Sequence, residues 1–240
     1  MKPDFIIAFN KALSSEGLIS NNKSDHGGFT YKGISRVKHP AWPGWIIIDA
    51  ILAASTTTAP ATTTIVPPAT ITPAPATASA TATPSPKSAT ATTIIITAAT
   101  TTAVTSILRN SDKLNNLVEQ FYLTNFWNKI QGNLLPTQLI ADELFESSIN
   151  LGVPAASEIL QRTINLLNRN ARFYPDILVD GIIGTQTLAA LNKSIAANEE
   201  KLLFNLLNFY QAKRYIEIME RDHSQEIFIG WFNRIEIIKT

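Results

Sequence analysis

Seven prolines, at positions 60, 67, 68, 73, 75, 84 and 86, fall within one short stretch of this chain. Each removes a backbone donor and clashes inside a helix or a central strand, so neither element can run through them. They belong to a longer tract, residues 55–106, with 19 Thr, 13 Ala, 7 Pro and 5 Ser among its 52 residues and Lys87 as its single charge. Such short side chains bury too little apolar area to offset the entropy of ordering. The expectation is an extended, disordered insert from Ser55 to about Lys87. The β-branched run Thr92 to Thr97 could form a transient strand. Any folded core must come from the flanks, which hold 38 charged residues in 188 once the tract is set aside, near the level of a globular domain.

Both flanks read as helical. Phe5, Ile6, Phe9, Ala12 and Leu13 recur at three- and four-residue steps, which predicts an amphipathic helix stopped by Gly17. Beyond the tract, Leu114, Val118, Phe121, Tyr122 and Trp127 share one helical face. Thr137 to Asn150, Ala155 to Leu167 and Glu199 to Arg221 supply further helices. Strand signals are limited to a short hairpin around Gly27 to Ile34. The predicted fold class is mainly α: a helical domain with a small β-hairpin, interrupted by the Thr/Ala/Pro-rich insert.

The chemistry concentrates before the tract. Glu16 closes the first predicted helix, and Asp25 follows nine residues later, ahead of Gly27-Gly28 and Thr30-Tyr31-Lys32-Gly33-Ile34-Ser35. In the last turn of a helix the negative end of the dipole would raise the pKa of Glu16. A glutamic acid still protonated near neutrality is what a glycosidase needs to protonate a leaving sugar oxygen. The alternative reading of Glu16 is a charged residue closing a helix. Asp25 either orients a water, stabilises an oxocarbenium-like centre or caps the hairpin turn.

Helix, Glu16-Gly17, eight residues to Asp25, a glycine pair and Thr30-x-x-Gly33-Ile34-Ser35 together resemble the phage and prophage lysozyme-like N-acetylmuramidases with a C-terminal peptidoglycan-binding segment. Phe121 to Trp127, Phe145 to Gly152, Asp180-Gly181-x-x-Gly184-x-x-Thr187 and Gly230-Trp231-Phe232-Asn233-Arg234 resemble later motifs of that family, in order. This chain departs from it at Leu18 and His26, where the family usually has Gly and Pro. The resemblance implies a lysozyme-like helical domain and cleavage of the β-1,4 bond between N-acetylmuramic acid and N-acetylglucosamine. Glu16 would be the general acid, with Asp25 and Thr30 completing the catalytic set. Asn150 would hydrogen-bond an N-acetyl group or simply end a helix. Tyr31 would line the cleft or support Glu16, and Trp127 would be a sugar platform or a core residue. Trp231 reads as core, and Glu146 as a solvated helix residue. Segments follow as 1–54 and 107–153 for the catalytic domain, 55–106 for the insert and 154–240 for a peptidoglycan-binding-like helical segment.

Composition narrows the partners. Twenty basic and 19 acidic residues give a net charge of +1, which argues against nucleic acid as a partner. The absence of cysteine and the scattered His26, His39 and His223 predict no metal site, and the chemistry requires no cofactor. The run Trp45 to Ala54 is too short to span a bilayer, so no stable membrane insertion is expected. The first ten residues lack the apolar run of a secretory leader. Synthesis in the cytoplasm is expected, with bacterial cell-wall peptidoglycan as the target and an export or holin-type helper giving access to the wall or periplasm. A lytic transglycosylase on the same fold, and a non-catalytic wall-binding or virion structural protein, are the competing readings.

Overall fold

Helix α1 (Phe5–Leu13) starts where the sequence provides a cap: the Asp4 carboxylate accepts the Ile6 amide at 2.7 Å, meeting one of the orphan donors of the first turn. The computed structural model describes residues 2–14, 17–20, 29–57 and 98–239. The expected disorder of the tract and the transient strand at 92–97 therefore lie almost wholly outside the described residues. α1 is capped at its C-terminal end by Ser14. That corrects one expectation: the last helical residue is Leu13, so Glu16 is not part of the last turn of α1.

Three two-residue strands follow, β1 (Ile19–Ser20), β2 (Thr30–Tyr31) and β3 (Ile34–Ser35), antiparallel in that order. Ser20 pairs with Thr30, and Tyr31 with Ile34. The expected hairpin is β2–β3, with β1 added at its edge. Its two-residue turn has positive φ at both Lys32 (44°) and Gly33 (78°), the geometry of a type I′ connection that favours glycine. Strands this short need outside support. Tyr122 Oη donates to the Lys32 carbonyl at 2.8 Å, and Lys32 Nζ donates to Asn115 Oδ1 at 2.9 Å.

Those anchors sit on α4 (Asp112–Tyr122), which continues as a π-helical turn over Leu123–Trp127. The turn delivers Trp127 into the core, fully buried, with Nε1 donating to Asn133 Oδ1 at 2.9 Å. Gly132 lies so close beneath the indole that an added Cβ would overlap it. The Phe5, Trp127 and Phe145 rings meet edge to face with centroids 5.7–5.8 Å apart. Around this cluster run α5 (Gln138–Leu151), α6 (Val153–Leu167), α7 (Thr185–Ala196) and α8 (Glu200–Arg221), then a 3₁₀ segment, His223–Arg234. Gly152, at φ 90°, makes the corner between α5 and α6.

These elements form one compact unit, residues 1–42 with 112–240; residues 43–111 form a second. The second contains α2 (Gly44–Thr57) packed against α3 (Ala98–Arg109), and Trp45, Ile48, Val104 and Leu108 are buried. α3 begins inside the Thr/Ala-rich tract, at a point with no proline after Pro86 to stop it. The mainly helical class expected from periodicity is the class observed.

Candidate functional site

The 1–42/112–240 unit has a cleft of about 320 Å³ whose walls come from both ends of the sequence. Thr30 and Gly33 of the hairpin form one side, and Ile149, Asn150 and Leu151 at the C-terminal end of α5 another. Tyr215 and Ile218 of α8, with Trp231 and Arg234 of the 3₁₀ segment, complete it. Thr30 is placed by its pairing with Ser20 and Ser35. Asn150 is placed by the stop at Gly152. Its side-chain Nδ2 is buried and makes no hydrogen bond among the described residues, which leaves a donor for a ligand carbonyl because buried polar groups ordinarily find partners.

Of the six residues expected at the site, Thr30 and Asn150 are thus brought together. Tyr31 is fully buried and stacked on Trp42 at 6.1 Å, so it does not line the cleft. Trp127 is a correction: as a wholly buried ring closed in by Phe5, Phe145 and Gly132, it offers no surface to a sugar. Glu16 and Asp25 lie outside the described residues. Gly17 is described again, and the Leu18 carbonyl accepts the Lys32 amide at 2.9 Å, so the chain just after Glu16 is tied to the hairpin turn that lines the cleft.

Sequence reading missed the C-terminal wall. Trp231 is half-buried rather than core. Phe228 stacks on it with centroids 5.3 Å apart and 3° between planes, and Tyr215 leans against it at 5.4 Å. Arg234 Nε lies 3.7 Å from Glu146 Oε1, so Glu146 is not the solvated residue expected; burial pushes its pKa up. The Gly-Trp-x-Asn-Arg run at 230–234 was the available signal, but a motif does not say which face its side chains present.

A second missed acid is Glu143. It is only 4% exposed, and burial pushes its pKa up to about 7, with Asn208 and Ser147 hydrogen bonds opposing and Glu146 adding to the rise. Ser147 Oγ lies 3.3 Å from Glu143 Oε1 and 2.6 Å from Gln211 Oε1, and Gln211 Nε2 donates to Tyr215 Oη at 2.7 Å. A serine has one proton to give. Protonated Glu143 donating to Ser147, which donates to Gln211, satisfies the whole chain. Such a pKa would suit a general acid, but Glu143 does not line the cleft described above; it sits in the α5–α8 seam, bonded to Ser147.

The Asp180 to Thr187 signature holds a turn together and also lines a second cleft of about 240 Å³. Gln161, 1% exposed, accepts the amides of Asp180 and Gly181 at 3.0 Å each and donates to Asp180 Oδ1 at 2.7 Å and to the Ile182 carbonyl at 3.0 Å. That bond and the Ile182 amide hold the Asp180 carboxyl below its usual pKa. Thr187 is buried, and the cap of α7 is Gly184, with no side-chain cap.

Residues 9–77 match the family model described as glycosyl hydrolase 108, and residues 155–236 match the model described as a predicted peptidoglycan domain. No curated protein matches the sequence. Among solved structures, SagA of Brucella abortus is 19% identical with a TM-score of 0.50, over 96% of this chain and 88% of that one; at that identity the likeness speaks for the fold alone. With a glycosyl hydrolase 108 segment followed by a peptidoglycan domain, in the order the motifs implied, this chain is a lysozyme-like glycoside hydrolase of peptidoglycan.

Proposed function

We propose that the enzyme is an N-acetylmuramidase of the endolysin type, cutting the β-1,4 bond between N-acetylmuramic acid and N-acetylglucosamine. The observation that carries this reading is the cleft itself: it joins Thr30, from the glycosyl hydrolase 108 match, to the unpartnered Asn150 amide. Glu16 acts as the general acid, giving its proton to the leaving sugar oxygen. Asp25 and Thr30 position the attacking water or stabilise positive charge at the anomeric carbon. Asn150 Nδ2 donates to the N-acetyl carbonyl of a bound sugar. Tyr31, buried behind Thr30, supports the strand rather than the ligand. Residues 1–54 and 107–153 supply this chemistry, and 154–240 the wall-binding segment.

The protein is made in the cytoplasm and reaches the wall with an export or holin-type helper; no helix among the described residues is long and apolar enough to cross a membrane. Mass analysis of fragments released from purified peptidoglycan tests the bond. Reducing N-acetylmuramic acid ends are expected. Anhydro-muramic ends would mean a lytic transglycosylase, with Glu16 serving first as acid and then as base. Reducing N-acetylglucosamine ends would move the cut to the other glycosidic bond.

A further inference from the structure

Helices α6 and α8 line a cleft of about 350 Å³ that shares no residue with the one containing Thr30 and Asn150. Glu158 and Arg162 come from α6, and Tyr210, Lys213, Arg214 and Glu217 from α8, at the three- and four-residue steps that keep side chains on one helical face. Every ion pair here stays within its own helix. Arg162 Nη2 lies 3.4 Å from Glu158 Oε2, Arg214 Nη1 3.4 Å from Glu217 Oε2, and Lys213 Nζ 3.7 Å from Glu217 Oε1. Among the described residues no pair crosses the cleft, although facing rows of both signs would close it if they met. The distances exceed that of a charge-assisted hydrogen bond. Exposed pairs within one helix also contribute little to stability, so a ligand can exchange them at low cost. Tyr210 is part-buried, and its hydroxyl has no partner among the described residues.

The lining selects its ligand by charge. A polyanion would meet Glu158 and Glu217 as well as the three cations, and a neutral sugar would leave all five charges unanswered. A zwitterion answers both signs. Its carboxylates pair with Arg162, Lys213 and Arg214, where a guanidinium offers planar, two-pronged donation, and its ammonium pairs with Glu158 and Glu217. We propose that this cleft binds a short zwitterionic peptide, the peptide stem of peptidoglycan, with Tyr210 Oη hydrogen-bonded to the peptide backbone. The predicted peptidoglycan domain then holds the wall by its peptides, while the glycan strand occupies the cleft at Thr30. Two contacts on one polymer raise the effective concentration for the second, so retention on wall exceeds the affinity for either part. The inference rests on the reading of 154–240 as the wall-binding segment.

The test separates peptide from sugar. The full-length chain is titrated by calorimetry with three probes. The first is the stem tetrapeptide, acetylated at its amino terminus to mimic its wall linkage. The second is the same peptide acetylated at its side-chain amine as well, and the third is glycan strands stripped of peptide. The first probe should bind saturably, and the second about threefold or more weaker. Arg162→Gln combined with Arg214→Gln should weaken the first probe by about tenfold or more, and Tyr210→Phe by about threefold. Affinity for stripped glycan should move less than about twofold in the same variants. Glu158→Gln with Glu217→Gln should abolish the difference between the two peptides, because the ammonium has then lost its partners. Thermal melts separate lost binding from lost folding; Tyr210→Phe, which removes only a hydroxyl, carries the comparison should the arginine double variant melt early. No saturable peptide binding by the parent, parental affinity in the arginine double variant, or parallel loss of peptide and stripped glycan would overturn the site. Retention on purified wall without any peptide binding would overturn the site and leave the wall-binding role of the segment standing.

Discussion

The hairpin at residues 19–35 and the segment from α6 to Arg234 meet at one cleft, but sequence and structure divide their roles differently. The hairpin is three two-residue strands anchored by Tyr122 and Asn115, too little structure to stand alone, yet it carries the motif with chemical content. The C-terminal segment is far larger. Its most recognisable motif, Asp180 to Thr187, is spent on holding a turn through Gln161. What it gives the cleft comes from Tyr215, Trp231 and Arg234 instead. A motif can mark a fold rather than a site, and the polar groups it satisfies internally are those least available to a ligand.

The largest test of this division sets two glutamates against each other. Glu16→Gln keeps side-chain shape but has no proton to give, and is expected to cut lysis by more than about 10²- to 10⁴-fold. Glu143→Gln, at the buried acid on α5, should leave lysis within about twofold. Turbidity loss of purified wall measures both. Substantial lysis by the Glu16 variant together with collapse in the Glu143 variant would reverse the assignment and make the α5 acid the catalytic one.

The second test concerns the scaffold. Gln161→Ala strips the partner from the Asp180 and Gly181 amides, and should cost about 2–4 kcal/mol of stability while leaving the rate per folded molecule near that of the parent at low temperature. Urea denaturation gives the first quantity and active-site-normalised lysis the second. Intact stability with lost wall binding would show that the signature touches ligand after all.

How much was legible follows the same line. Helices α4, α5, α6 and α8 were readable because their apolar residues repeat at helical steps, and the hairpin because the strand signals of this chain gather around Gly27 to Ile34. Thr30 and Asn150, expected at the site from the resemblance, line one cleft. Trp127 was misplaced because an aromatic on a helix face reads alike whether it meets a sugar or Phe5. Arg234 was visible only as part of the 230–234 motif, and Glu143 was not legible at all. Their surroundings are set by α5, α8 and the 3₁₀ segment closing on one another across some 60 to 90 residues of sequence, and no local pattern encodes that. The early end of α1 at Ser14 was missed because the predicted stop, Gly17, is a permissive signal and not an obligatory one.

A third test is the pH response of the α5–α8 seam. Glu143 has a folded-state pKa raised from 4.5 to about 7. The folded state therefore binds more protons than the unfolded state between those values, so stability is greatest below about 4.5 and falls as pH rises through 7. Asp142 and Glu146, raised in the same direction by burial, add to the slope; Lys11 from α1 and Arg234 oppose the rise of Glu146, while Glu236 adds to it. The loss assignable to Glu143 is on the order of 3 kcal/mol. Melting temperature should decline from pH 5 to pH 8 in the parent and decline much less in Glu143→Gln. Equal slopes would mean that Glu143 is not the group responsible.

The smallest expected effect belongs to the tract that separates the two regions in sequence. Replacing residues 58–97 with about eight Gly/Ser residues keeps α2 through Thr57 and α3 from Ala98. The removed stretch contains all seven prolines and one charge, a composition with little area to bury. A shorter loop also costs less closure entropy, roughly 0.6 kcal/mol per halving of length. Melting temperature and lysis should both stay within error of the parent. Cutting further, from 55 to 105, removes most of α3 and the buried Val104, and should destabilise the 43–111 unit measurably. If the shorter deletion is as damaging as the longer one, residues 58–97 contribute packing that their composition does not reveal, and Ile94 to Ile96 are the first to substitute, because they are the only apolar cluster it removes that is large enough to fill a core.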